Sequence, residues 1–271
     1  MILKVTTMRI LFLSLFCIGM LEASPISAPL LTINENQGTI QAPSLKVGMS
    51  GFIVRHFDDK HSSIIANARV SALDAATNQA KIDISAYDGL RQNSLPSGNW
   101  KVQSNDEVVL TYDYKRALFI APNDDAYITL TKKIDNIEWA HPDTFATYLS
   151  HEGHPTPLVK DFHQFCTSNS IGLLYVQTGE TLFTLDCKNF EVLETATVQD
   201  TKKASMIPFY SRVPTIRANW FGAGSSHLKS YDPYYLEQIA LNNSKNKELY
   251  KLYKAKFSEK SALLRNFDVK E

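Results

Sequence analysis

The middle of the chain holds the stretch that decides the fold: residues 116–125 read Arg-Ala-Leu-Phe-Ile-Ala-Pro-Asn-Asp-Asp. The apolar run is short and continuous, and it ends at Pro-Asn-Asp. Such a run is typical of a strand buried on both faces of a sheet. The acidic residues Asp124 and Asp125 favour capping of a helix that follows. The stretch predicts a buried strand leading into a helix, with an all-β half before it and a mixed α/β half after it.

The composition limits the architecture and the partners. A chain of 271 residues, of which 44% are hydrophobic and 21% charged, can bury a sizeable core in one large domain or two small ones. The formal net charge is +0, so the field of the whole chain gives no attraction toward nucleic acid or anionic lipid. We therefore expect no nucleic-acid partner.

The N-terminus has the composition of a signal peptide. Met8-Arg9 gives a positive start, and residues 10–21 are an apolar segment too short to span a bilayer. Small residues follow at Ala23-Ser24. We therefore predict that residues 1–23 are a leader, cleaved after Ala23, and that the protein is exported.

Two alternatives for the N-terminus remain open. The first is an uncleaved membrane anchor. The second is a lipid anchor at Cys17, which Leu15-Phe16 argues against because small residues should precede a lipoprotein cysteine. No later stretch is long and apolar enough to span a bilayer, so we expect no transmembrane span in the mature chain.

The first half of the mature chain is predicted to be β structure. Residues 24–44 contain Pro and Ser and are predicted as an extended arm with one candidate strand. From residue 45 onward, short apolar or alternating runs are separated by polar turns, as in the strictly alternating residues 80–87. Strands at this spacing favour a small antiparallel barrel or sandwich, which we assign to residues 45–115.

The second half is predicted to mix helices and strands, so the fold class is mixed α/β or α+β. An α/β domain is assigned to residues 116–226, and a C-terminal amphipathic helix to residues 227–271, with an interruption near 242–244 left open. Helical spacing of apolar residues predicts helices over 124–134, 142–150, 158–168 and 234–264. Strands are predicted over 171–176, 181–186, 191–198 and 208–213.

Two cysteines, Cys166 and Cys187, remain after the leader. An even number of cysteines in an exported chain favours a disulfide. In the predicted hairpin Cys187 lies opposite Ser170, and Cys166 lies one helical turn earlier, within reach of a bridge. Such a bridge would pin a helix end to the hairpin; two buried free thiols are the alternative.

No residue pattern assembles a catalytic or metal site. His151-Glu152-Gly153-His154, with His163 nearby, is the one cluster that suggests zinc, but its spacing is not His-Glu-x-x-His and Pro155 and Pro157 favour a loop. We interpret these as solvated loop histidines. No serine lies in a nucleophile elbow, and no glycine-rich stretch has the setting of a phosphate loop. The sequence therefore predicts no cofactor, no metal and no enzymatic activity.

The chain resembles the N-terminal domain of the PgbA/PgbB family of plasminogen-binding surface proteins. The resemblance runs from about residue 45 to about residue 213. It is carried by the segments Leu118-Phe119-Ile120-Ala121-Pro122-Asn123-Asp124 and Pro208-Phe209-Tyr210-Ser211-Arg212-Val213, together with Gly51-Phe52-Ile53-Val54, Ser94-Leu95-Pro96 and the Cys166/Cys187 pair.

The resemblance implies a non-enzymatic protein displayed on a Gram-negative bacterium, at the cell surface or outer membrane, that captures host plasminogen. Binding in that family is lysine-dependent, which makes Lys256, Lys260 and Lys270 the candidate contacts. This sequence ends at Glu271 and lacks the family's long charged tail, so Lys270 becomes terminal only if Glu271 is trimmed. The alternative role is a periplasmic structural or assembly module whose partner is an envelope protein.

Overall fold

The computed structural model describes residues 24–74, 76–87, 100–258 and 261–269. The predicted leader, residues 1–23, lies outside these ranges. The strands are β1 Ile26–Pro29, β2 Thr32–Asn34, β3 Gln37–Ile40, β4 Ser50–His56, β5 Ser62–Asp74, β6 Gln79–Ala86, β7 Glu107–Leu110, β8 Arg116–Ile120, β9 Glu138–Ala140, β10 Leu173–Thr178, β11 Thr181–Asp186 and β12 Val192–Thr197. The helices are α1 Asp124–Lys133, α2 Pro142–Glu152, α3 Val159–Asn169, α4 Tyr231–Asn242 and α5 Lys247–Lys256, followed by a 3₁₀ helix at Ala262–Asn266.

Seven strands form an antiparallel sheet in the order β1-β7-β4-β5-β6-β3-β2. Its longest strand, β5, pairs with β4 on one side and β6 on the other. Ala66, Ala68 and Val70 alternate along β5 and are buried, because every second side chain of a strand faces the same side. The register shifts once in each of these pairings, and such irregularities increase bending and twist. The sheet curls into a half-barrel around its apolar face.

The two edges of the curled sheet are linked by one continuous segment. β1 pairs with β7 and β2 pairs with β3, yet only Leu30 and Leu31 separate β1 from β2. The Leu30 N–H donates to the carbonyl of Asp106, and the Leu31 N–H donates to that of Thr39, each over 2.9 Å. Where an extended arm was predicted over residues 24–44, the chain therefore contributes three short strands. Strands of three or four residues are too short to show a clear alternation in sequence.

The second sheet has five strands in the order β12-β11-β10-β8-β9. β8 runs parallel to both of its neighbours, and the other pairings are antiparallel. Leu118 and Ile120 of β8 face one apolar cluster, and Ala117 and Phe119 face another. The prediction of a strand buried on both faces is confirmed.

Helix α1 begins where the sequence indicated. The Asn123 side chain accepts a hydrogen bond from the Ala126 N–H over 3.0 Å, so it is the N-cap. Asp124 and Asp125 occupy the first turn, where negative charge is stabilised by the helix dipole. The N-cap is therefore Asn123, the residue just before the two carboxylates. The predicted helix is confirmed.

The second sheet separates two cores. One face is covered by α2 to α5 through buried residues such as Phe145, Phe162 and Tyr235. The other face packs on α1 and on the inner face of the curled sheet, where Ile53 belongs to the same cluster as Phe119. This cluster crosses the predicted boundary between residues 115 and 116. The predicted domain limits stay predictions.

The C-terminal region contains two helices where one long helix was predicted over residues 234–264. The break falls at Asn243, near the expected interruption. Its side chain accepts a hydrogen bond from the Val192 N–H (2.8 Å) and donates to the carbonyls of Phe190 (3.1 Å) and Ile239 (2.8 Å). The buried amide fastens the helix end to the chain entering β12, and the backbone leaves the helix there.

Residues 208–213 do not form the predicted strand. The N–H groups of Arg212 and Val213 donate to side chains, Asp143 Oδ1 (2.8 Å) and Ser211 Oγ (3.0 Å), instead of to a neighbouring strand. The fold class is confirmed as mixed α+β, and the described residues contain a curled antiparallel sheet, a second sheet and five helices. No helix in the described ranges is both long and apolar enough to cross a membrane.

Candidate functional site

A cleft of about 570 Å³ opens between the outer part of the curled sheet and the end of α3. One wall is aromatic and is formed by Phe52, Tyr87 and Tyr112. The other walls carry side chains that form ion pairs with one another. Strands of the curled sheet line one side, and α3 and the turn after β11 line the other. The cleft therefore exists only when the two halves of the molecule are packed together.

Asp186, at the end of β11, holds the floor of this cleft together. Its Oδ2 accepts hydrogen bonds from Ser50 N–H (3.1 Å), Ser50 Oγ–H (2.5 Å) and Tyr114 Oη–H (2.7 Å), and its Oδ1 accepts from the N–H groups of Lys188 and Asn189. Complete burial raises the pKa of Asp186, and the hydrogen bonds from Ser50 and Tyr114 oppose that rise. Burial also raises the pKa of Tyr114, and the negative charge of Asp186 raises it further. The phenol therefore stays protonated and donates its hydrogen bond.

Lys188 lies on the rim of the cleft. Its ammonium is 2.6 Å from Asp113 Oδ2 and 4.3 Å from the centre of the Phe52 ring. The carboxylate neutralises the charge, and the ring face gives a cation–π contact. Phe52 in turn meets Tyr112 edge to face, so the cation fixes the aromatic wall.

Arg69 of β5 is the second cation of the cleft. Its guanidinium bonds Asp83 Oδ2 over 2.8 Å and also bonds Glu191. Burial raises the pKa of Glu191, which Arg69 counteracts. The pair with Glu191 is a further link between the curled sheet and the second sheet.

The charged side chains of the cleft are occupied by partners from the protein itself. Both cations are held by carboxylates, and the His163 ring bonds the carbonyl of Lys188. Asp186 has its oxygens occupied by donors from the protein. What the cleft offers to a ligand is therefore an aromatic wall beside paired charges.

A second cavity, of about 580 Å³, lies between the hairpin turn at Gly179 and helices α4 and α5. Lys256, a predicted partner contact, lies at its edge and donates to Thr181 Oγ1. Asp232 Oδ1 is buried there without a hydrogen-bond partner among the described residues. Burial raises the pKa of Asp232, and the charge of Asp200 adds to that rise.

Of the three lysines predicted as partner contacts, the structure describes Lys256. Lys256 is part of α5, whereas Lys260 and Lys270 lie outside the described residues. The predicted pair Cys166 and Cys187 is a disulfide with the Cα atoms 6.0 Å apart. It joins α3 to the residue after β11, as the prediction required.

The histidine cluster of the sequence is dispersed. His151 is exposed and pairs with Glu152 (3.1 Å), whereas His154 is largely buried and pairs with Asp161 (2.9 Å). The interpretation as solvated loop histidines is thus wrong in part. His151 is solvated but lies in α2, His163 lies in α3, and the ring of His154 bonds a buried carboxylate. No group of three potential metal-ligating side chains occurs within the described ranges.

Sequence reasoning missed the residues that build the cleft. Asp186 follows an apolar strand and precedes a cysteine, and an acid in that position is a signal for a buried, partnered carboxylate. Its partner Ser50 lies 136 residues earlier, so nothing local to either residue indicates the contact.

Comparison with known proteins agrees with the resemblance. A family model described as "Plasminogen-binding protein pgbA N-terminal" matches residues 25–239. The plasminogen-binding protein PgbA of Helicobacter pylori, from strain J99 and from strain 26695, is 28% identical over 243 residues, covering 88% of this chain and 52% of the relative. The chain thus spans about half the length of these curated relatives, and no solved structure matches it significantly. The match covers both sheets and the cleft between them, and the chain belongs to the family of PgbA N-terminal domains.

Proposed function

We propose that this chain is an exported cell-surface protein that binds plasminogen and catalyses no reaction. The observation that carries the proposal is the family match over residues 25–239, which includes both sheets. The relatives in Helicobacter pylori are named for plasminogen binding. The paired charges of the cleft support a binding role, because neither Arg69 nor Lys188 is free to act on a substrate.

The proposed contact surface is the exposed side of α5. Lys245, just before the helix, and Lys247 are exposed, and neither forms an ion pair among the described residues. Lys251 is exposed and pairs with Glu248 over 2.8 Å. A lysine ammonium beside a carboxylate is the ligand pattern that the family resemblance implies for plasminogen.

Helix α5 is held in place from its buried side. Leu249 and Tyr253 are buried, and the Tyr253 hydroxyl donates to the carbonyl of Leu236 over 2.9 Å. The lysines therefore project from a fixed helix, which lowers the conformational entropy lost on binding. Helix α5 follows the residues matched by the family model, so the assignment of the contact to α5 rests on the exposed lysines of this chain and not on the family match.

The test is binding of residues 24–271 to immobilised plasminogen, with and without the lysine analogue ε-aminocaproate. We expect the analogue to compete. A variant with Lys245, Lys247, Lys251 and Lys256 changed to Gln should bind about tenfold more weakly. A control with Lys60, Lys101, Lys132 and Lys160 changed to Gln removes the same charge elsewhere and should bind within about twofold of the parent.

Binding that is insensitive to the analogue would overturn lysine recognition. Equal loss in both lysine variants would overturn the assignment to α5. Absence of any binding would favour the alternative, a periplasmic structural or assembly module with an envelope protein as its partner. Protease treatment of intact cells separates these roles further, since a surface protein is removed and a periplasmic one is spared.

A further inference from the structure

The segment from residue 201 to residue 231 differs from the rest of the chain in its charged residues. It contains five Lys and Arg residues and neither Asp nor Glu, although the whole chain has a formal net charge of +0. No helix or strand occurs between β12 and α4 in the described structure. Lys203 pairs with Asp124, and Arg212 pairs with Asp143. The cations of the segment without an ion pair among the described residues are therefore Lys202, Arg217 and Lys229.

Two aromatic side chains stand fully in solvent within the segment. Trp220 is 100% exposed and Phe221 is 88% exposed, the two highest values among the large exposed apolar residues. Adjacent aromatic rings left in water mark an interaction site, because a soluble protein gains by covering them. Neither side chain lines either of the two cavities described above.

The loop that carries these rings, residues 219–226, is fastened at both ends. Asn219 donates from its N–H to Gly153 O (2.9 Å) and from Nδ2 to Glu152 O (2.7 Å). At the other end, Thr156 donates from its N–H to Gly224 O (3.1 Å) and from Oγ1 to Ser226 O (2.6 Å). The aromatic pair thus projects from a loop whose two ends are held by hydrogen bonds.

Cations flank the loop on both sides. Arg217 precedes it and Lys229 follows it, and both are exposed. Neither forms an ion pair within the described part of the chain. Exposed aromatic rings between unpaired cations are the pattern of a surface that enters the headgroup layer of an anionic membrane.

We propose that the 219–226 loop is a membrane-contact site. Trp220 and Phe221 enter the headgroup region of an anionic phospholipid surface, and Arg217 and Lys229 bind the lipid phosphates. A lipid surface fits better than a protein partner because the two rings require only an apolar layer, whereas the free cations require phosphate charge beside it. These contacts involve neither α5 nor the cleft.

The test is co-sedimentation of residues 24–271 with vesicles of phosphatidylcholine alone or of phosphatidylcholine and phosphatidylglycerol in equal parts. We expect binding to the anionic vesicles that weakens with added salt. The double variant Trp220→Ala/Phe221→Ala should lose about tenfold or more in partitioning. Arg217→Gln and Lys229→Gln should each lose about fivefold.

The matched control is Phe57→Ala/Trp100→Ala, because these rings are also half-exposed and contact each other (5.0 Å between centroids) on the curled sheet. This variant should bind vesicles as the parent does, and the loop variants should bind plasminogen as the parent does. Absence of vesicle binding, or equal binding by Trp220→Ala/Phe221→Ala, would overturn the proposal. Loss of plasminogen binding in the loop variant without any vesicle binding would assign the loop to a protein contact instead.

Discussion

Ser50 donates its hydroxyl to Asp186 Oδ2 over 2.5 Å, so a side chain of the curled sheet is bonded directly to a fully buried carboxylate of the second sheet. The backbone N–H of Ser50 donates to the same oxygen. The contact joins two strands that share no backbone pairing.

Asp186→Asn should destabilise the protein by about 3 kcal/mol, because an amide nitrogen would face donors that now have a carboxylate to bind. Ser50→Ala removes one donor and leaves the carboxylate with its others, so a loss of about 1 kcal/mol is expected. Urea denaturation followed by tryptophan fluorescence measures both. Equal stability of Asp186→Asn and the parent would show that the carboxylate does not join the sheets.

The disulfide should stabilise the protein mainly by lowering the conformational entropy of the unfolded chain. Cys166 and Cys187 are 21 residues apart, and closing a loop of that length stabilises by about 3 kcal/mol in the chain-entropy treatment. The Cys166→Ser/Cys187→Ser variant should lose about that much in urea denaturation, and added reductant should destabilise the parent but not the variant. Equal sensitivity of both proteins to reductant would contradict this expectation.

Gly51→Ala should prevent normal pairing of β4 with β7. A Cβ at this position would lie 2.0 Å from the carbonyl oxygen of Val109 and 2.6 Å from the Cα of Leu110. Backbone atoms cannot move aside as a flexible side chain can, so we expect a loss of about 3 kcal/mol or more. Gly179→Ala is the control: no atom lies within 4 Å of its added Cβ, and its positive φ alone costs about 1 kcal/mol. Thermal melts that place Gly51→Ala at or above Gly179→Ala would refute the steric argument.

Asp143 should give the stability a defined pH dependence. Burial alone would raise the pKa of Asp143, but hydrogen bonds from Arg212 and Ser211 outweigh burial and hold that pKa below its usual value. A lowered folded-state pKa adds stability above the unfolded-state pKa of about 3.9, and that stability is lost as the pH falls through the folded-state value. Asp143→Asn should therefore cost about 1–2 kcal/mol at neutral pH and almost nothing in strong acid. An unchanged difference between the two proteins at both pH values would contradict the linkage.

The central strand and its helix were predictable because their signals are local. Five apolar residues followed by Pro-Asn-Asp leave few alternatives to a buried strand and a capped helix. The disulfide was predictable for a similar reason, since the helix and the hairpin that it joins are neighbours in sequence.

The predicted register of the β10–β11 hairpin differs from the observed register by two residues. The expected turn was 177–180, but Gln177 and Thr178 are buried strand residues, and Cys187 lies opposite Gly172 instead of Ser170. Gln177 is polar and therefore looked like a turn residue. Its amide donates to the carbonyls of Gly179 and Gln199, and a satisfied polar side chain is tolerated inside a sheet.

The cleft could not be predicted because its contacts link distant parts of the chain. Arg69 meets Glu191, and Phe52 meets Lys188, across more than a hundred residues. Each of these residue types is common on protein surfaces, so none of them alone indicates a cleft. Only the packing of one sheet on the other shows that they form a wall.

The alternation along β8 has a consequence for how the gene can vary. Ala117 and Phe119 fit the curled sheet, and Leu118 and Ile120 fit the helices. Inserting or deleting a single residue within this strand would exchange the two sets, so a small side chain would face the helices and a larger one would take its place against the curled sheet. Length variation among relatives should therefore fall in the connecting turns and spare residues 116–121.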